Sequence, residues 1–146
     1  MGRTAACVFC RLVRREGEVT VVYEDERTIV FVDIQPVVRG HLLVVPRAHA
    51  ACLADLDPED GASLFRTGQR AAAALRASGL PCEGVNLFLA DGEAAGQDVF
   101  HAHLHVIPRH AGDGFGLRLP PDYSIRPRIE LEEAGDAVRH VWPATT

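Results

Sequence analysis

The sequence predicts an α+β fold, on three observations. Short β-branched runs come first, one long amphipathic stretch follows them, and two more apolar runs come after it. The resulting order of β, β, β, long α, β, β does not alternate as a parallel βαβ chain does. At 146 residues, 47% hydrophobic and 24% charged, the chain has ordinary globular proportions, so one domain spanning 1–146 is expected. Its core is placed at about 7–110, with a C-terminal extension at about 111–146.

Each element has a local reason. CVFCRLVRREG, 7–17, reads as a short helix stopped by Gly17, with the cysteines of its CxxC about one turn apart. VTVVYE at 19–24 and TIVFVDI at 28–34 are strands of a hairpin turned by DER. A third strand, 41–45, lies between Gly40 and Pro46. Asp57, Pro58, Glu59 and Asp60 form an N-cap, a first-position proline and a first turn that complements the helix dipole. Leu64, Phe65, Ala71, Ala72 and Leu75 recur at helical spacing until Gly79 and Pro81 end that helix. GVNLFLA, 84–90, is a strand, DGEAAGQ, 91–97, a glycine-bearing loop, and DVFHAHLHVIPR a strand closing at Pro108. Glycines and prolines make 110–127 irregular before a final helix at about 128–140.

Composition removes several function classes. All fifteen cationic side chains are arginine; without lysine there is no Schiff base to pyridoxal phosphate, no Walker A loop and no kinase strand lysine. The three serines, Ser63, Ser78 and Ser124, lie outside any GxSxG elbow. A net charge of −5 is poor for holding a polymeric nucleic acid, whereas a mononucleotide needs only a few local donors. No apolar run reaches the ~18 to 20 residues of a membrane span, and MGRTAACVFCRLVRR lacks the apolar stretch of a secretory signal. A cytoplasmic protein without membrane association is expected, with its four cysteines as thiols or metal ligands.

His101, His103 and His105 alternate with Ala102, Leu104 and Val106. On a strand this spacing of two sends the imidazoles to one face and the aliphatic residues, with Phe100, to the core. Such a row suits either a metal site with an open position or a nucleophilic imidazole attacking phosphorus. The preceding DGEAAGQD favours phosphorus, since its glycines can turn N–H groups inward as an anion nest and Gln97 can reach a bridging oxygen.

GQDVFHAHLHVIPR resembles the motif of the HIT (histidine triad) family, and CVFC, YEDE, FVDIQPVVRGHLLVVPRAH and the glycine loop fall in the family's order over roughly residues 7–140. The resemblance implies a HIT-like five-stranded antiparallel sheet with one long helix, a short N-terminal and a C-terminal helix, paired into a homodimer. It implies nucleotidyl transfer or hydrolysis at the α-phosphate of a purine nucleotide, with an AMP or GMP moiety in a nucleoside phosphoramidate or dinucleoside polyphosphate. His103 matches the family's nucleophile; His105 and His41 match residues that hold phosphate and orient the nucleophile, and Gln97 the residue near the scissile bridge. Asp33 matches the acid that takes the ribose hydroxyls, Phe31 and Ile34 part of a base slot, and Gly96 and Asp98 the phosphate loop.

The chain departs from many relatives with Ala90 in place of Asn and Asp98 in place of Ser or Thr, which removes two neutral polar contacts. A nucleotide- or partner-binding module with little turnover is the alternative these changes leave open, and a metallohydrolase using the histidine row is a third. CxxC alone fits a redox pair, a metal pair or buried small residues. Resemblance to bacterial HIT proteins implies structural zinc on Cys7, Cys10, His49 and His101, a closed Cys2His2 set. Cys52 and Cys82 read as apolar fillers. Arg39, Arg47 and Arg109 are expected to flank the pocket.

Overall fold

A computed structural model describes residues 6–145. The N-terminal segment read for a secretory signal therefore begins, at 1–5, outside the described residues. The chain falls into two compact units, Met1–Phe115 and Gly116–Thr146.

The first unit is a five-stranded sheet, β1 (Val21–Glu24), β2 (Thr28–Val32), β3 (Leu42–Pro46), β4 (Gly84–Phe88) and β5 (Leu104–Arg109), in the order β1-β2-β3-β5-β4. Every neighbouring pair is antiparallel, as expected. The DER turn holds because Asp25 Oδ1 accepts from the backbone N–H groups of Arg27 and Thr28 at 2.9 and 2.8 Å.

The two sheet faces have different partners. Val30, Leu42, Val44, Leu104 and Val106 pack under α2 (Pro58–Ala77) against Leu64, Ala71, Ala72 and Leu75. Ile29, Phe31, Leu43 and Val45 point the other way and meet Phe9 of the short helix α1 (Val8–Val13). Alternation along β2 and β3 thus builds one core beneath the long helix and leaves the opposite face for a pocket.

Helix α2 begins and ends as its local chemistry dictates: the Asp57 side chain accepts from Glu59 N–H at 2.8 Å, and Gly79 takes the left-handed φ of +82°. Phe65 corrects the reading of its buried face, because it is 56% exposed while Thr67 and Gly68 are buried in its stead. Gly68 sits where a Cβ would lie 2.8 Å from Leu104 Cδ2, so a side chain there would collide with β5. Helix α1 ends at Val13 rather than Gly17, with the left-handed position taken by Arg15 at φ 62°.

The final strand is shorter than expected. Pairing of β5 starts at Leu104, because the backbone just before it is spent elsewhere: His101 N–H donates to Val99 O and Ala102 N–H to Ala50 O. It continues through Pro108, which pairs with Val85 on one side, beyond the last partner on β3, so its missing N–H costs no ladder bond. Phe100, expected in the core, is 48% exposed.

The second unit carries α3 (Arg128–His140), at the residues expected, laced by ion pairs such as Arg126–Glu130 and Arg139–Glu132. Among the described residues, no helix is long and apolar enough to cross a membrane.

Candidate functional site

Opposite α2, a cavity of about 530 Å³ opens over β2, β3 and β5, lined among others by Phe9, Phe31, Asp33, Ile34, Leu43, Asp98, Val99, His103 and His105. The expected alternation holds from His103 onward, but not for His101. Leu104 and Val106 go under the long helix, while His103 and His105 face the cavity.

Hydrogen-bond partners fix the ring protons. His103 Nδ1 lies 2.7 Å from the carbonyl of His101, and a carbonyl only accepts, so Nδ1 carries the proton and Nε2 keeps a lone pair. His41 Nδ1 accepts from Val37 N–H at 3.2 Å, so its Nε2 is the protonated nitrogen and donates to His105 Nδ1 at 2.8 Å. That leaves His105 Nε2–H without a donor's duty inside the relay, beside the lone pair of His103, whose ring centroid is 4.8 Å away. A backbone amide therefore sets the direction of two imidazoles in series. Burial, reinforced by His103 and His41, brings His105 down to about 4, and burial also lowers His41, against the opposing charge of Asp33 at 3.6 Å. Both shifts favour the uncharged form of the two rings.

Asp33 Oδ1 caps Gln35 N–H at 2.8 Å at the end of β2, which turns the carboxylate toward His41 and the cavity. Phe31 is buried, whereas Ile34 is almost wholly exposed at the cavity's mouth. Phe9 had no role in the sequence reading. Its ring stands edge-on to His103, 5.0 Å between centroids, and touches Phe31 and His101 as well. Its place between Cys7 and Cys10 is the signal that was available for it.

The loop before the histidines departs from the expected nest. Gly92 and Gly96 do take left-handed φ values of 92° and 87°, but the N–H groups of Ala95, Gly96 and Gln97 bond carbonyls of Gly92 and Glu93 within the loop. Gln97 is 4% exposed, with Nε2 donating to Ala51 O and Val99 O at 2.7 and 3.0 Å and Oε1 accepting from Gly92 N–H at 2.8 Å. Expected at a bridging oxygen, its amide instead fastens the loop to the Ala51 segment. Asp98 lines the cavity with its Oδ1 on the Val99 N–H at 2.9 Å. None of the three arginines expected to flank the pocket lines it: Arg47 is held by Glu24 and the Asp25 carbonyl, Arg109 by Asp113 and Asn86, and Arg39 is exposed.

His101, fully buried, turns away from the row. Its Nε2 donates to Pro46 O at 2.8 Å, which leaves the Nδ1 lone pair facing Cys7 and Cys10 Sγ, each at 3.5 Å. His49 Nδ1 closes the group, 3.3 Å from both Cys10 Sγ and His101 Nδ1. One donor atom from each of the four residues lies within 4.8 Å of the others. A tetrahedral zinc with bonds of about 2.3 Å to sulfur and about 2.0 to 2.1 Å to nitrogen has edges of about 3.6 Å for S–N and about 3.3 Å for N–N, so this donor set fits. The Pro46 carbonyl supplies the outer hydrogen bond that such a histidine ligand needs. Burial, with the neighbouring Cys7, pushes the Cys10 thiol up to about 11.

Asp33, His41 and His105 also lie close enough to consider an ion. There, however, His41 Nε2 and His105 Nδ1 are 2.8 Å apart, a hydrogen bond rather than the wider edge two ligand nitrogens require.

The row of His103 and His105 facing the cavity and a separate Cys2His2 cluster agree with what the chain is similar to. The HIT domain family model matches residues 14–112. An uncharacterised HIT-like protein of Mycobacterium tuberculosis is 42% identical over 134 residues, covering 88% of this chain and 92% of its own. Adenylylsulfatase HINT3 of Arabidopsis thaliana is 34% identical over 108 residues, 73% of this chain and 54% of its own. Among solved structures, a Zn-bound histidine triad family protein from Mycobacterium smegmatis is 42% identical with TM-score 0.75, covering 94% of this chain and 93% of its own. A HIT family member from Bacillus subtilis is 30% identical with TM-score 0.86, covering 96% and 99%. A histidine triad nucleotide-binding protein from Candida albicans is 25% identical with TM-score 0.81, covering 92% and 96%. With the five-stranded antiparallel sheet, the histidine row and these matches in agreement, the chain belongs to the HIT family.

Proposed function

We propose that this protein is a nucleotide hydrolase or transferase that acts at the α-phosphate of purine nucleotides through a covalent nucleotidyl-His103. The observation that carries the reading is the His103 ring: Nδ1–H is tied to the His101 carbonyl, so the Nε2 lone pair faces the cavity. The nucleotide-binding relative from Candida albicans and the adenylylsulfatase from Arabidopsis support the ligand class.

The steps balance in bonds and protons. The Nε2 lone pair forms a bond to phosphorus as the bond to the leaving group breaks, and that group departs with the electron pair and takes up a proton. Water, or another acceptor hydroxyl, then attacks phosphorus and loses a proton; the P–N bond breaks and its pair returns to Nε2. His105 Nε2–H donates to a phosphoryl oxygen, and the Val37-His41 relay keeps that donor aimed. Asp33 accepts from the ribose hydroxyls, while Phe9, Phe31 and Ile34 cover the base. Gly96 and Gln97 act by shaping the loop.

Cys7, Cys10, His49 and His101 are the residues that would hold zinc. Four protein ligands of this kind would make the site a closed, structural one, tying the N-terminal helix to the histidine strand. The exposed Leu87 and Phe88 on edge strand β4 support pairing with a second copy, which sedimentation tests.

The test is AMP release from adenosine phosphoramidate and from a diadenosine polyphosphate, by wild type and His103→Ala, with and without chelator. Turnover is expected without added metal and falls by about 10³-fold or more in the variant, while AMP binding persists. Tight AMP binding with no turnover of either substrate identifies a binding module instead. Prompt loss of turnover on chelation, with the fold intact, points to metal chemistry.

A further inference from the structure

The pocket has an unusual charge for a site that takes phosphate. Its charged lining residues are Glu18, Asp33 and Asp98, all acidic, and none is cationic. The chain has no lysine to swing in; Arg47 and Arg109 are held by carboxylates elsewhere, and Arg39, exposed on the loop before His41, is not part of the lining. The histidine relay adds no positive charge at neutral pH, since burial holds His105 and His41 below the ordinary value of 6.5.

Several of the loop donors are taken as well. Asp98 Oδ1 sits on the Val99 N–H at 2.9 Å, the place where an oxygen of an incoming anion would seek a donor. The N–H groups of Ala95, Gly96 and Gln97 are bonded to carbonyls within the loop. Each further phosphate on a ligand must therefore enter beside the Asp98 carboxylate with no cation in the cavity lining to offset it, and at separations of several ångströms near a protein surface this costs about tenfold in affinity per charge.

Resting on the nucleotide reading above, we propose that Asp98 is a specificity-determining residue. Its carboxylate, seated on the Val99 amide in a pocket lined by acids, selects nucleotides with a single anionic phosphoryl group and a neutral or cationic leaving group, and rejects polyphosphates. The same carboxylate attracts a leaving amine that is positively charged.

Titration calorimetry with AMP, ADP and ATP, at low salt and without divalent cations, tests this on the full chain with its metal in place. In the wild type, affinity is expected to fall along the series by about tenfold per added phosphate. Asp98→Asn should compress the AMP-to-ATP spread by about tenfold, and so should Asp98→Ser, which replaces the carboxylate with a hydroxyl. Raising salt should narrow the wild-type spread, because the repulsion is screened. ATP bound as tightly as AMP by the wild type, or a spread unchanged in both variants, overturns the charge selection. Failure of the wild type to bind AMP at all overturns the nucleotide reading itself, a different result from binding AMP and ATP equally.

Discussion

Replacing His105 with glutamine should make the protein less sensitive to mild acid. The ring is partly buried against His41, His103 and Phe88, and Asp33 and Asp98 are the carboxylates whose charge reaches it. Burial is the largest cause of its low folded value of about 4, against 6.5 ordinarily. Between these values the unfolded chain binds a proton that the folded one refuses, so the stability contributed by His105 is whole above pH 6.5 and is lost as pH falls toward 4. At about pH 5 the loss from this one group is about 2 kcal/mol. His105→Gln removes the titration while its amide oxygen can still accept from His41 Nε2–H. Urea unfolding of metal-stripped wild type and variant at about pH 7.5 and about pH 5 measures the difference. The wild type should lose about 2 kcal/mol more than the variant. Equal losses would show that His105 is not held neutral by the fold, and the argument for an uncharged relay would fail with it.

Other outcomes follow from the same contacts. Cys10→Ser, which removes one sulfur from the buried cluster, should drop zinc from about one per chain to a small fraction and lower Tm; unchanged stoichiometric zinc in purified protein would sink the site. Gln97→Ala strands the Gly92 amide and the Ala51 and Val99 carbonyls, at a cost of about 2 to 4 kcal/mol, and faster hydrogen exchange at Gly92 should report it. Asp57→Ala removes the cap on α2 and should cost about 1 kcal/mol in denaturant unfolding without changing AMP affinity.

What could be read in advance follows the range over which each feature is decided. The ends of α2 are set within a few residues, by Asp57, Pro58 and Gly79, and they lie where the sequence places them. The strands announce themselves through β-branched runs, but their ends depend on partners: β4 stops at Phe88 opposite His105 because no ladder exists above that pair. Gln97 lies away from its expected place for a similar reason. Its residue type suits a bridging oxygen, whereas the carbonyls it meets belong to Ala51 and Val99, and the first of these is 46 positions away. Asp98 is the opposite case, since its type alone marks a negative charge in the loop, and only the structure shows that Arg47 and Arg109 are paired elsewhere and no cation lines the cavity beside it.

The strict alternation of His101, Ala102, His103, Leu104, His105 and Val106 has a consequence for length. The odd positions are polar and the even ones seal the core, so this stretch has a parity. Deleting or inserting one residue where the ladder fixes the register, between Leu104 and Val106, would drive an imidazole beneath the long helix and an aliphatic group into the pocket. Substitutions here can be graded in their effects; a change of length by one cannot.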